Sequence, residues 1–175
     1  FMAKVDFVPD KVLYEETIQL VQGELDIKET EKLIKRVKNK GGKTVMNFAP
    51  AIQSLSEDLL HNLDVIILNE YEAEAVGNQY SMDVSDKNML AQELNKRFEL
   101  TTIITLGPRG AITATKNKLF ETPALSIKAI DTVGAGDAFT GYICAALDRK
   151  ETIENAVYEA NIAGSITCTK IGAQT

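Results

Sequence analysis

Residues Asp64–Leu68 read DVIIL, a short and continuous apolar run. Such runs are typical of parallel strands that are buried on both faces of a sheet. Thr101–Leu106 (TTIITL) repeats the pattern with β-branched residues, and Lys43–Phe48 and Thr17–Gly23 are predicted to be two earlier strands. The sequence therefore predicts a mostly parallel sheet.

Helical patterns separate these strands. Asp26 is a predicted N-cap with Glu29 three residues later, and the apolar face of the helix that follows ends at Gly41-Gly42. Further helices are predicted over about Ser85–Phe98, Ala135–Leu147 and Thr152–Thr169. Repeated strand–helix units predict an α/β fold, with a doubly wound sheet flanked by helices and right-handed crossovers.

The alternation of predicted strands and helices changes after Gly110. Ala111–Thr115 and Leu119–Thr122 are predicted to form a hairpin, and Ser126–Ile130 is predicted to be a further strand. No early element suits the first, central strand of a doubly wound sheet, and the sequence stops just after a helix. We therefore expect residues 1–175 to be a single, partial domain cut from a longer protein.

Composition narrows the functional classes. The formal net charge of -6 argues against a nucleic-acid partner, because phosphate neutralisation needs basic surface. No apolar run approaches the ~20 residues of a membrane span, so we expect a cytoplasmic protein with no membrane partner. Cys144 and Cys168 are expected to be buried free thiols and His61 a surface residue. Because the sequence has a single histidine, it offers few residues for a Ser-His-Asp triad or for a histidine-rich metal site.

A glycine-rich turn, Asp131–Asp137 (DTVGAGD), lies between a predicted strand and a predicted helix. Gly134 and Gly136 let the backbone approach a ligand closely and point successive N–H groups one way. The helix start adds its positive dipole end, so the turn suits a transferring phosphate, with Asp137 beside it to accept a proton from a hydroxyl. A plain helix start with an acidic first turn fits the same residues equally well.

Two other turns also follow predicted strands. Asn69 and Glu72 come directly after the DVIIL run and have the spacing of a helix capping box. Gly107–Gly110 follows the TTIITL run, at the strand end where ligands of such sheets bind. An ordinary Gly-Pro turn into the hairpin explains that second segment as well.

Residues 131–141, DTVGAGDAFTG, resemble the second signature of the ribokinase-like (PfkB) carbohydrate kinases. The resemblance implies a ribokinase-like fold and transfer of the γ-phosphate of ATP to the hydroxyl of a small-molecule sugar. Asp137 would then be the catalytic base that meets this hydroxyl. The anion hole would be formed by Gly134, Ala135 and Gly136.

Other segments resemble the same family in order and spacing. Asn69 and Glu72 match its N-x-x-E motif, which implies that they organise Mg²⁺ and the phosphates, in addition to any capping. Thr105–Gly110 matches its TLGxxG nucleotide segment. The nucleotide-binding residues that the resemblance implies are Asn69, Glu72, Thr105, Gly107, Gly110 and Asn161. Asn161 would lie near the adenine, and a solvent-facing Asn161 is the alternative.

The family also binds a monovalent cation, usually K⁺, beside the anion hole. A last cation ligand would fall just beyond Thr175, so the site is expected to be incomplete. The ligands implied within this sequence are Asp131, the Val133 carbonyl, and backbone oxygens near Thr167, Lys170 and Gly172.

On the sugar side, Glu24 matches a ribose-contacting glutamate at the end of a strand. A carboxylate that simply approaches a helix is the alternative. Asn47–Pro50 (NFAP) and the terminal GAQT resemble segments of true ribokinases, which favours ribose over fructose or adenosine as the acceptor.

The resemblance covers only the middle and carboxyl-terminal parts of the family. Its Gly-Gly motif, its sugar-binding Asp and Asn, and the lid through which members often form homodimers have no counterpart here. We therefore expect a parent protein that is a sugar kinase, and little or no turnover by this polypeptide alone. A non-catalytic nucleotide-binding remnant is the alternative. A dinucleotide-binding dehydrogenase is disfavoured because the glycine turn lies late in the sequence.

Overall fold

The computed structural model describes residues 4–173. Within them, six strands form a sheet with the order β1-β2-β3-β4-β5-β6. The strands are β1 (Ile18–Gln22), β2 (Lys43–Asn47), β3 (Val65–Asn69), β4 (Thr101–Thr105), β5 (Ala111–Ala114) and β6 (Leu119–Thr122). The α-helices are α1 (Ile27–Asn39), α2 (Glu57–His61), α3 (Glu70–Gln79), α4 (Lys87–Phe98), α5 (Ala135–Asp148) and α6 (Ile153–Thr167).

The strands β1, β2 and β3 are parallel, as the apolar runs predicted. Leu20 lies opposite Val45, which in turn lies opposite Val65. The interiors of β2, β3 and β4 are buried, so neither face of these strands meets water. Continuous apolar sequence was therefore a sound indicator of central, parallel strands. The predicted hairpin of β5 and β6 is also present, with a bond of 2.8 Å from the Thr115 amide to the Lys118 carbonyl.

Side chains at the N-termini explain where most helices begin. Asp26 accepts bonds from the amides of Lys28 and Glu29 at the start of α1, as predicted. The second half of a capping box is absent there, because the Glu29 carboxylate instead accepts from the Val5 amide and from Lys32. The other helices with side-chain caps are α2, α3, α4 and α6, capped by Ser56, Asn69, Asp86 and Thr152.

The predicted strand Ser126–Ile130 is wrong. The segment is irregular and mostly exposed. Its flanks are held by α6 rather than by a strand: the Leu125 amide donates to Ser165 Oγ, and the Ile130 amide donates to the Cys168 carbonyl. A strand needs a neighbouring strand with which to form hydrogen bonds, and the strand propensity of a segment does not provide one.

The described residues fall into two compact units. One comprises residues up to 104 together with 113–119, and it contains β1 to β3 and α1 to α4. The other comprises 105–112 and the residues from 120 onward, and it contains α5 and α6, which pack against each other. In that second unit, Gly164 lies so close to the start of α5 that a Cβ there would be 3.2 Å from the Ala135 carbonyl oxygen.

Gly110 is predicted to be essential for stability. Its φ is +101°, and a Cβ at this position would lie 2.0 Å from the Thr122 carbonyl oxygen. Gly110→Ala should therefore lower the free energy of unfolding by roughly 2–4 kcal/mol, through backbone strain and steric overlap. Urea denaturation followed by circular dichroism measures the change.

Gly141 provides the matched control, because it lies exposed within α5 and a Cβ there would meet nothing within 4 Å. Gly141→Ala should raise stability by about 0.5–1 kcal/mol, the usual gain inside a helix. Equal effects of the two substitutions would contradict the packing described around Gly110.

Candidate functional site

The N-terminus of α5 differs from that of every other α-helix in the described residues. No side-chain bond caps it, whereas each of the other five helices has an Asp, Asn, Ser or Thr cap. Its N-cap is Gly134, in the left-handed conformation with φ of 81°. The Ala135 amide donates to the Thr132 carbonyl at 3.3 Å, and the positive end of the helix dipole faces the turn without a capping side chain, which favours an anion there.

The two glycines of the turn have different physical roles. Gly134 needs its positive φ, and a Cβ there would lie 3.0 Å from Ala173 Cα. Gly136 is exposed, and a Cβ there would meet no atom within 4 Å. Packing therefore does not demand a glycine at position 136, and its bare backbone faces open space that a ligand can fill. Asp137 follows in the first helical turn and is also exposed.

Asp131 holds the turn to the end of the chain. Its carboxylate accepts bonds from the Gly172 amide at 2.9 Å and from the Val133 amide at 3.0 Å. These bonds, that from Gly172 first, lower the pKa of the Asp131 carboxyl below its usual value. The Asp131 amide donates in turn to the Cys168 carbonyl. The segments around residues 131–133 and 168–172 therefore meet, and a cation site formed by them stays a prediction.

A cavity of about 470 Å³ opens beside this turn, wholly within the second unit. Its size lies in the range of small-molecule sites. Predicted residues contribute much of its wall, namely Thr105, Gly107, Gly110, Ala135, Gly136 and Asn161. Residues outside the predicted site complete it, among them Pro108, Thr132, Phe139, Gly164, Ser165, Cys168 and five residues of the segment 124–129.

Asn161 is buried, so the solvent-facing alternative is wrong. Its side-chain Nδ2 donates to the Thr122 carbonyl at 3.2 Å, which fixes the orientation of the amide. Ser165 Oγ donates to the Asn161 carbonyl and accepts from the Leu125 amide. These bonds tie the irregular segment after β6 to α6. No pattern in the sequence could identify that segment as a cavity wall, because its shape depends on contacts with a distant helix.

The turn after β4 forms the opposite part of the wall. Residues Gly107–Arg109 make a short 3₁₀ turn, closed by bonds from the Leu106 amide to the Gly110 carbonyl and from the Gly110 amide to the Gly107 carbonyl. Gly107 has a φ of +57° and open space around its missing Cβ. Thr105 ends β4, so this turn lies at the carboxyl end of the strand, where sheets of this kind bind ligands.

Asn69 and Glu72 belong to the first unit, where they form a complete capping box at the start of α3. Asn69 Oδ1 accepts from the Glu72 amide, and the Glu72 carboxylate accepts from both the amide and the side chain of Asn69. Glu72 is buried, and this burial raises the pKa of its carboxyl. The capping interpretation is therefore confirmed, and a role towards Mg²⁺ stays a prediction.

Glu24 lies in the turn between β1 and α1 of the first unit, exposed at the carboxyl end of β1. Its neighbour Gly23 packs against the segment of Ala49 and Pro50, where a Cβ on Gly23 would lie 2.5 Å from the Pro50 carbonyl oxygen. The N-cap of α1 is Asp26. For Glu24, both the sugar contact and the alternative of a carboxylate that simply approaches a helix stay predictions.

The larger cavity of the described residues, about 760 Å³, contains none of the predicted site residues. It lies in the first unit near the start of β4 and the β5–β6 turn, with a mainly polar lining that includes Lys96, Glu99 and Lys116. Among residues 4–173 no group of three His, Cys, Asp or Glu side chains could hold a metal ion. The smaller cavity beside the glycine turn is therefore the better candidate.

The remaining expectations have mixed outcomes. Both cysteines are free, as predicted, but each is only half-buried. Burial raises the pKa of the Cys144 thiol to about 11. His61 is exposed, as predicted, with its ring against Phe98. None of the helices described here is long and apolar enough to cross a bilayer.

Comparison with known proteins agrees with this geometry. Residues 5–175 match the family model described as pfkB family carbohydrate kinase. The ribokinase of Haemophilus influenzae is 34% identical over 156 residues, which cover 89% of this chain and 51% of that protein. The ribokinase of Staphylococcus aureus is 36% identical over 138 residues, covering 77% of this chain and 44% of that protein.

The crystal structure of a ribokinase from Thermotoga maritima has the same fold, with a TM-score of 0.89 and 30% identity. The match covers 98% of this chain and 56% of that structure. The chain thus spans about half the length of the relatives it matches. With a family match over nearly all its residues, the chain belongs to the pfkB family of carbohydrate kinases.

Proposed function

We propose that this chain carries the nucleotide site and the catalytic base of an ATP-dependent sugar kinase, with ribose as the acceptor. The observation that carries the proposal is the uncapped start of α5, whose bare Gly136 borders a cavity of suitable size. Phosphoryl transfer depends mainly on positioning and on charge stabilisation, and such a helix start supplies both.

The chemistry assigns a separate task to each part of the turn. Amides at the start of α5 would bind the oxygens of the γ-phosphoryl group, where negative charge is greatest during transfer. Asp137 would accept the proton of the sugar hydroxyl while that oxygen forms its bond to phosphorus and the bond to the ADP oxygen breaks. The cavity between the residue 105–110 turn and α6 would hold the adenosine portion, with Asn161 in its wall.

Mg²⁺ would neutralise charge on the phosphates. Asn69 and Glu72 are the residues proposed to orient it, and the fit is indirect because their polar atoms already bond one another. Mg²⁺ retains several waters in such sites, so contact through water is compatible with an intact capping box.

A monovalent cation would lie beside the anion hole. The donor set fits K⁺ in kind, since it consists of the Asp131 carboxylate and backbone oxygens near Val133, Thr167, Lys170 and Gly172. The bond from the Gly172 amide to Asp131 brings two of these segments together. The cation would stabilise the turn that carries Gly134.

Ribose is proposed as the acceptor because the two relatives compared above are named ribokinase and because the NFAP segment and Glu24 match that group. A second candidate is nucleotide binding without turnover. The supporting observation is that the chain spans only about half the length of these two relatives.

The first prediction concerns Gly136→Asp. Because a Cβ here would meet no protein atom within 4 Å, the variant should fold, and an Asp in the first helical turn interacts favourably with the helix dipole. Its carboxylate would occupy the phosphate position, so the affinity for ATP with Mg²⁺ should fall at least about tenfold. Isothermal titration calorimetry measures the dissociation constant, and urea denaturation measures stability.

Ala145→Asp is the matched control, because Ala145 is exposed on the same helix and remote in sequence from the turn. It adds the same charge and should leave the ATP affinity within about twofold of the wild type. ATP binding that survives Gly136→Asp unchanged would place the nucleotide elsewhere and refute the proposed site.

The second prediction concerns Glu72→Gln. Glutamine also serves at this position of a capping box, so α3 should keep its start. If Glu72 orients Mg²⁺, the variant should bind ATP without metal as the wild type does, and should lose at least half of the gain in affinity that Mg²⁺ provides. Titrations in EDTA and in 5–10 mM Mg²⁺, about the usual assay range, measure that gain.

Stability at several pH values separates capping from metal binding. The folded-state pKa of Glu72 is raised, so its contribution to stability is present at low pH and is lost as pH rises above the ordinary glutamate range. Glu72→Gln should therefore be at least as stable as the wild type at neutral pH. A variant with unchanged Mg²⁺ dependence would leave Glu72 a capping residue only.

A further inference from the structure

One side chain, that of Gln53, binds the backbone on both sides of Glu24. Its Nε2 donates to the Gly23 carbonyl at 3.1 Å and to the Leu25 carbonyl at 2.9 Å. Its Oε1 accepts from the Ile27 amide at 3.3 Å. Both N–H donors of the Gln53 side chain and its oxygen acceptor therefore bind the backbone of one turn, the turn between β1 and α1.

The same turn is held from its other side by the NFAP segment. The Gly23 amide donates to the Ala49 carbonyl at 3.0 Å, and the space at Gly23 is too small for a Cβ. The last residues of the two strands, Gln22 and Asn47, lie opposite each other in the parallel pair. The backbone of residue 24 therefore has little freedom, although it lies in a surface turn.

The Glu24 side chain, in contrast, is uncommitted. It is exposed, and its carboxylate forms no hydrogen bond or ion pair with any residue between 4 and 173. A fixed backbone beneath a free carboxylate is the arrangement expected of a ligand-binding group, because little ordering is then required on binding. The carboxyl end of a parallel strand is also where such sheets bind ligands.

We propose that Gln53 is a positioning residue for the sugar acceptor, which acts by holding Glu24 in the orientation that binds a sugar hydroxyl pair. The inference rests on the proposed function, since it assigns Glu24 to the acceptor of that reaction. Gln53 itself does not contact the sugar. Its effect passes through the carbonyls of Gly23 and Leu25.

A purely structural role is the competing explanation, because the Ile27 amide belongs to the first turn of α1 and needs a partner. Gln79 separates the two explanations. It too uses its side-chain amide to hold a loop backbone, accepting from the Leu55 amide and donating to the Leu55 carbonyl, and it lies in the same unit. Loss of either glutamine should therefore affect stability in a similar way.

The experiment titrates D-ribose, up to about 100 mM to reach weak affinities, into the ¹⁵N-labelled chain and follows the Glu24 amide by NMR. Gln53→Ala should raise the dissociation constant for ribose about tenfold, because small misplacements of a positioning group have effects of this order or larger. Gln79→Ala should change it less than twofold. Gln53→Glu keeps the size and the acceptor but removes the donors, so it should resemble Gln53→Ala, and Glu24→Ala should abolish the shift.

Separate measurements of ATP affinity distinguish the possible failures. Equal effects of Gln53→Ala and Gln79→Ala on ribose, or no effect of either, would overturn the inference. A wild-type chain that binds ATP but shows no ribose-dependent shift at Glu24 would overturn it as well, and would leave the nucleotide site standing. A wild-type chain that binds neither would contradict the proposed function itself.

Discussion

The candidate site of this protein depends on the absence of a side-chain cap at the start of α5. Five helices of the described structure satisfy their first amides with their own side chains, and α5 does not. Amides in the first turn of a helix need a backbone carbonyl, water or a ligand as a partner when no side chain caps them. Here they occur where a glycine exposes the backbone beside a cavity, which is the physical basis for a phosphate site.

The surrounding structure maintains that helix start. Gly134 supplies a left-handed residue, Asp131 connects the turn to the end of the chain, and Gly164 permits α6 to approach α5 closely. The cavity wall opposite depends on Gly110, whose conformation and close packing exclude any side chain. Several small or backbone-directed interactions therefore combine to leave one helix end open to a ligand.

Sequence patterns were informative wherever the determinant is local. The Asp26 cap and the apolar runs of β3 and β4 predicted elements that the structure confirms to within a few residues. The five-residue helix α2 has too few residues for a helical period to be visible. The strand predicted at Ser126–Ile130 failed because pairing is a property of the whole sheet and not of one segment.

The candidate site shows the same division between local and distant causes. The glycine turn and the capping box of Asn69 and Glu72 could be recognised from spacing alone, and the family resemblance supplied their proposed roles. Asn161 could not be judged buried from its own surroundings, because its partner is the Thr122 carbonyl on a distant strand. The bonds from Gln53 to the turn around Glu24 could not be predicted either, because Gln53 lies 28 to 30 residues in sequence from the two carbonyls that it binds.

An NMR titration of the ¹⁵N-labelled chain with ATP and Mg²⁺, read at every assigned amide, tests most directly whether the start of α5 binds phosphate. A phosphate site at the start of α5 should give the largest shifts at residues 134–137, with smaller ones at 107–110 and in α6 near Asn161. Shifts confined to residues 95–101 and 115–119, around the larger polar cavity, would contradict it.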